Sequence, residues 1–189
     1  LCDLLQHWKL RQPHLVVHDY GGAVALRAHL LHGARYRSLA LVDVVALAPW
    51  GSEFFRLVAA NTPVFAQIPS PLHEALLRAY ITGAAHRPLA GEHLDMLAAP
   101  WLGAEGQAAF YCQIAQASQR YTDEIEPLYP AIKVPVLIAW APRTPGSQST
   151  VPTAWQNRFP TRSCISFPTL ATSSNSMPPN ISPPCCKDG

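Results

Sequence analysis

The spacing of apolar residues switches twice within the first 45 positions. Leu1, Leu4, Leu5, Trp8 and Leu10 form a stripe close to helical period. Arg11-Gln12-Pro13 ends it, because the residue ahead of a proline is biased out of the helical region. His14-Leu15-Val16-Val17 then reads as a buried strand running into His18-Asp19, followed by Tyr20, two glycines and a helix over 22–32 suited to packing on a sheet. Gly33 is a stop for that helix. Residues 38–43, ending in Asp43, form a second short buried strand. Strand, helix and strand at this spacing predict a βαβ unit, hence an α/β fold with a parallel sheet and a right-handed crossover.

From 46 to 130 the pattern is helical only. Segments at 54–60, 71–83, 91–97 and 105–121 are separated by Pro or Gly, with breaks at Pro88, Pro100 and Pro127. This stretch is rich in aromatics, among them Trp50, Phe54, Tyr80, Trp101, Tyr111 and Tyr121. Residues 133–140 return to a buried, parallel-type strand. An all-helical insert between two strands of one parallel sheet predicts a lid over the carboxyl edge. The organisation expected is therefore a core unit at 1–45, a helical cap at 46–130, a core strand at 131–140 and a tail at 141–189. The tail holds nine of the nineteen prolines, no Glu and only Asp188 among aspartates, and shows no period. It is expected to be disordered, which leaves the last strand at an unprotected sheet edge.

Composition narrows the class. A chain of 189 residues, 49% hydrophobic and 14% charged, can bury a sizeable core. A net charge of +2 without a dense Lys/Arg block argues against a nucleic-acid partner. No apolar run reaches bilayer-spanning length, and the start lacks the basic region of a secretory signal, so no membrane partner is expected. The chain begins with Leu1 instead of Met, which suggests a fragment. Cys2, Cys112, Cys164, Cys185 and Cys186 have no metal-ligand spacing; an odd, scattered set fits reduced thiols and a cytoplasmic location. His7, His14, His29, His32, His73, His86 and His93 show no paired ligand spacing either, so no metal site is expected.

Asp19 is the residue on which function turns. At the apex between a strand and a helix, a carboxylate is either a helix cap or a nucleophile. Glycine at positions 21 and 22 lets strand and helix approach without Cβ clashes. The following helix start favours negative charge, and the Tyr20 N–H is placed to donate one half of an oxyanion hole.

Val17-His18-Asp19-Tyr20-Gly21-Gly22 resembles the nucleophile elbow of the α/β-hydrolase fold, with Asp at the nucleophile position. The element order over about 1–140 is similar to the second half of that fold, so a partial α/β-hydrolase fold is expected. Asp in place of Ser resembles the haloalkane dehalogenase, haloacetate dehalogenase and epoxide hydrolase group. The resemblance implies attack of the carboxylate on carbon, an ester intermediate, and hydrolysis by activated water, with no cofactor and a small hydrophobic organic substrate. Haloalkane dehalogenases usually carry Trp after the nucleophile to bind halide, whereas this chain has Tyr20. Epoxide hydrolases need cap tyrosines, for which Tyr80, Tyr111 and Tyr121 are candidates by location. Asp43 stands where some dehalogenases place the catalytic acid. His18 is expected to shape the pocket wall, with Trp50, Phe54 and Trp101 as further substrate contacts. Two other readings remain open: a non-catalytic fragment whose aromatic cap binds a hydrophobic ligand or partner, and an esterase-like relative that no longer hydrolyses.

The base histidine implied by the resemblance should follow the last strand, yet the sequence has no histidine after His93. The genetic code suggests why. With one permitted codon choice, adding one G near codon 140 turns the tail into a segment with an acid loop (WGAEDPWIP), a strand (AELHFIP), a histidine loop (DAGHLVQ) and a closing amphipathic helix. Residues 169–172 conceal the DAGH. The tail is thus expected to be out of frame, and this chain to be catalytically incomplete.

Overall fold

The computed structural model describes residues 1–85, 88–140, 159 and 162–166. Helix α1 (Cys2–His7) precedes β1 (His14–Asp19), α2 (Tyr20–His32) and β2 (Ser38–Val44). Gly33 closes α2 in the left-handed conformation, φ 71°, and the Ala34 N–H bonds the Ala28 carbonyl at 2.9 Å. β1 and β2 pair in parallel, and β3 (Val136–Trp140) continues the sheet through Leu39↔Val136 to Val42↔Ala139. Among the described residues β1 is an edge strand and only one of its faces is covered. Leu15 and Val17 pack against the sheet core, while Val16, on the opposite face, is exposed.

A fourth strand, β4 (Arg162–Ser166), pairs in parallel with all of β3, so the sheet order is β1-β2-β3-β4. Phe159 is buried in the sheet core and stacks on Tyr129 at 5.1 Å. At these residues the expected disordered tail and bare β3 edge give way to ordered chain. The physical reason is that a strand edge offers backbone donors and acceptors to any segment that reaches it, whatever that segment's own side-chain period. The rest of 141–189 lies outside the described residues. That includes residues 169–172 with their alternative frame, and Cys185 and Cys186; His86 lies outside as well.

Between β2 and β3 the chain is helical: α3 (Glu53–Ala60), α4 (Thr62–Phe65), α5 (Ser70–Ala84), α6 (Gly91–Ala98), α7 (Gly103–Gln116) and α8 (Arg120–Asp123), with 3-10 turns at Ala99–Trp101 and Glu126–Ala131. The Ser52 hydroxyl caps α3 by accepting the Phe55 N–H at 3.4 Å. The single helix expected at 105–121 is two, because Ala117 turns extended at ψ 118° and ends α7.

Two apolar cores result. Leu26 of α2, Leu39 and Leu41 of β2 and Ile138 of β3 form the sheet core, with Ile125, Tyr129 and Ile132 from the end of the helical segment. Each such leucine contributes about 1.5–3 kcal/mol by leaving water. Val58, Leu77, Phe110, Tyr111 and Ile114 form a second core within the helical segment alone. Among the described residues, no helix is long and apolar enough to cross a membrane.

Candidate active site

Asp19 ends β1 and is the N-cap of α2, with φ 49° and ψ −128°. An L-residue held there stores about 1–3 kcal/mol of backbone strain. Its carboxylate makes no capping hydrogen bond to the helix, which removes the simplest structural role for an acid at this point. On the neighbouring strand a second aspartate is bent the same way. β1 and β2 pair in constant register from His14↔Ser38 to His18↔Val42, then jump to Asp19↔Val44. Asp43, at φ 42°, is the extra residue of that bulge.

The turn is held shut by one glycine. A Cβ on Gly22 would overlap Val44 Cβ and lie 2.7 Å from its Cγ1, whereas one on Gly21 would meet Val17 Cβ at an ordinary 3.6 Å. The sequence suggested that both glycines serve the close approach; the structure assigns that requirement to Gly22. Helix α2 therefore packs directly on β2, and its N-terminus is fixed against the sheet's carboxyl end.

Partial burial raises the Asp19 carboxyl above its ordinary pKa of 3.8, opposed by the charge of the exposed His18 and by the Tyr20 backbone N–H. That N–H belongs to the first residue of α2, where no intrahelical acceptor exists. The Tyr20 phenol is pushed up to about 12 by burial, then by Asp19 and Tyr80. Tyr80 is raised by burial and by Asp19. Both phenols are therefore protonated donors at neutral pH, within the field of the one carboxylate.

Aromatic contacts complete this wall. Trp50 meets Tyr20 edge-on at 5.4 Å, and Phe54 lies 5.5 Å from Tyr80. The Trp50 indole N–H is already committed, donating to Thr122 Oγ1 at 2.9 Å. The structure thus draws Asp19, Tyr20 and Tyr80 into one electrostatic cluster and sets Trp50 and Phe54 against its tyrosines.

Trp101 and Tyr111 are placed elsewhere, in the core of the helical segment. The Tyr111 hydroxyl donates to His73 Nδ1 at 3.0 Å, and His73 Nε2 donates to the Trp101 carbonyl at 2.9 Å. Tyr111 is fully buried, its phenol raised by burial alone. Tyr121 lies under Arg27 and Arg120, at 5.1 and 4.9 Å from its ring centroid. Of the three tyrosines nominated by location, Tyr80 is the one whose phenol Asp19 raises alongside Tyr20. Sequence reasoning missed Thr122, whose interest lies in a contact 72 residues away in the chain, and His73, which carries no ligand spacing. Among the described residues, no cluster of three or more His, Cys, Asp or Glu side chains could hold a metal ion.

A parallel sheet with a strained acid in the tight turn between strand and helix defines the class as an α/β protein. The family model described as "Alpha/beta hydrolase family" matches residues 1–170, and the chain belongs to that family. The match runs through β4. No curated protein matches the chain. Among solved structures, an alpha/beta hydrolase fold protein from Burkholderia ambifaria is 41% identical, with TM-score 0.78 over 87% of this chain and 62% of that one. A haloalkane dehalogenase from Bradyrhizobium elkani (16% identity, TM-score 0.66, 87% of this chain and 62% of that one) shares the fold. So does an epoxide hydrolase (15%, 0.64, 88% and 63%). The chain spans about 62% of the length of the first of these relatives.

Proposed function

We propose that the protein belongs to the Asp-nucleophile branch of its family, with the helical segment as a cap and a small hydrophobic epoxide or organic halide as substrate. The observation that carries this reading is the geometry of Asp19: an L-residue held at φ 49° between β1 and α2, its carboxylate making no side-chain cap bond to the helix. A side chain held at such a cost for no capping gain is suited to chemistry.

In the proposed reaction an Asp19 carboxylate oxygen attacks a substrate carbon and forms an ester. With an epoxide, the C–O bond breaks with its electron pair on oxygen, and the Tyr80 phenol supplies the proton, later regained from water. With a halide, the C–X bond breaks and halide leaves with the pair. The epoxide is favoured of the two. Tyr20 and Tyr80 offer protonated hydroxyls to a developing alkoxide, while the Trp50 indole N–H is held by Thr122 and is not free to bind halide. The Tyr20 backbone N–H then stabilises the oxyanion formed as water attacks the ester. The second step needs a base, and the sequence has no histidine after His93. Without a histidine there, the reaction of this chain is expected to stop at the ester.

Incubation with a panel of epoxides, haloacids and haloalkanes tests this. A stoichiometric adduct without turnover is expected, most readily with an epoxide. Full turnover, or no adduct across the panel, would count against it.

A further inference from the structure

We propose that Thr122 is a positioning residue of this site, acting through Trp50 on Tyr20. The inference rests on the reading of Asp19 as nucleophile. Thr122 lies on α8 and is fully buried. Its hydroxyl donates to the Gln119 carbonyl at 2.9 Å and accepts the Trp50 indole N–H at 2.9 Å. With both roles assigned, the hydroxyl has one orientation, and that orientation fixes the indole. The indole in turn braces the Tyr20 ring edge-on at 5.4 Å and an interplanar angle of 61°. Tyr20 is the residue after Asp19, and its hydroxyl sits in the Asp19–Tyr80 field.

The brace is anchored at its far end. Arg27, on the same helix as Tyr20, donates to the Tyr121 carbonyl at 2.8 Å and to the Glu124 carboxylate at 2.6 Å, and lies over the Tyr121 ring. Helix α2, α8, Thr122, Trp50 and Tyr20 thus form a closed circuit of contacts with the turn in it. Opening the circuit at Thr122 leaves Arg27 to hold α8 against α2 while releasing the indole. An indole N–H that loses its acceptor moves toward a new one, and the Tyr20 ring moves with it. The consequence is loss of shape in the wall beside Asp19, read out as selectivity between mirror-image substrates.

The test uses T122V, which removes the acceptor at constant shape, and T122S, which keeps it. Fluorotyrosine labelling, with the Tyr20 signal assigned through Y20F, reads the ring directly. Asp19 adduct formation is measured with each enantiomer of styrene oxide. The Tyr20 fluorine resonance is expected to shift in T122V and return in T122S. Adduct formation in T122V is expected to slow by about tenfold, as small misplacements of reacting groups do, with the enantiomer ratio moving toward one; T122S restores both. An unmoved Tyr20 signal, or unchanged rate and ratio in T122V, overturns the positioning role. A shifted and rescued signal in a protein that forms no adduct even as wild type upholds the brace and removes the nucleophile instead.

Discussion

Asp19 pairs with Val44, one residue beyond the partner that the β1–β2 register would give it, and Asp43 is the residue passed over. Both aspartates take positive φ, 49° and 42°, at adjacent strand ends. The bulge turns the end of β2 while leaving Val44 in place against Gly22, so the same displacement shapes the turn and keeps the helix close.

That closeness makes Gly22 and Gly21 behave oppositely. Gly22→Ala drives a Cβ into Val44 Cβ and is expected to cost about 2–4 kcal/mol or prevent folding. Val44→Ala does not rescue it, because the offending Cβ remains; Val44→Gly does. Gly21→Ala meets only ordinary contact and is expected to be neutral or stabilising by up to about 1 kcal/mol. Denaturant melts of the four variants check the pattern.

Asp19 carries a pH signature. Its folded pKa is raised, so the unfolded chain ionises it more readily, and its contribution to stability falls as pH rises from 3.8 through the raised folded value. Asp19→Asn is expected to flatten that slope and raise the neutral-pH Tm slightly, a small effect because the group is partly solvated. Adduct formation runs the other way with pH: the carboxylate is the attacking form, so the rate is lost as pH falls through the same raised value. Thermal melts and adduct rates between about pH 3 and 8, which brackets the carboxylate titration range, give both slopes.

Tyr80→Phe is expected to slow adduct formation with epoxides by about 10²-fold, the usual worth of a positioned acid. With a reactive haloacid, which needs no proton, the rate should change little. Equal losses for both substrates would assign Tyr80 to packing against Phe54 and Phe110.

Phe159 tests whether chain beyond β3 belongs to the fold. It is buried against Tyr129 and the sheet core. Phe159→Ala is expected to cost about 3–5 kcal/mol. A melt unchanged by the substitution would return this segment to the disordered state that its composition suggested.

The parts legible in sequence were those with a local cause. Three apolar residues, an acid and two glycines specify a strand and a turn that only small residues allow, and α2 ends where Gly33 permits the left-handed cap. The break at Ala117 was not legible, since Ala117-Ser118-Gln119 contains neither Pro nor Gly and the next helix, α8, is docked onto α2 through Arg27. Arg162–Ser166 lacks strand alternation and gains its pairing from the edge of β3. Aromatic richness marked the segment but not which side chains meet: Trp101 and Tyr111 pack with His73 and Phe110, while Tyr80 feels the charge of Asp19. Thr122 could not be found without the tertiary contact.

The most direct test of Asp19 as nucleophile is the mass of its peptide after incubation with a single epoxide. The peptide containing Asp19 is expected to gain the full mass of the epoxide, one adduct per chain, with none in Asp19→Asn. An unmodified Asp19 peptide, or an adduct that persists in Asp19→Asn, would contradict the account.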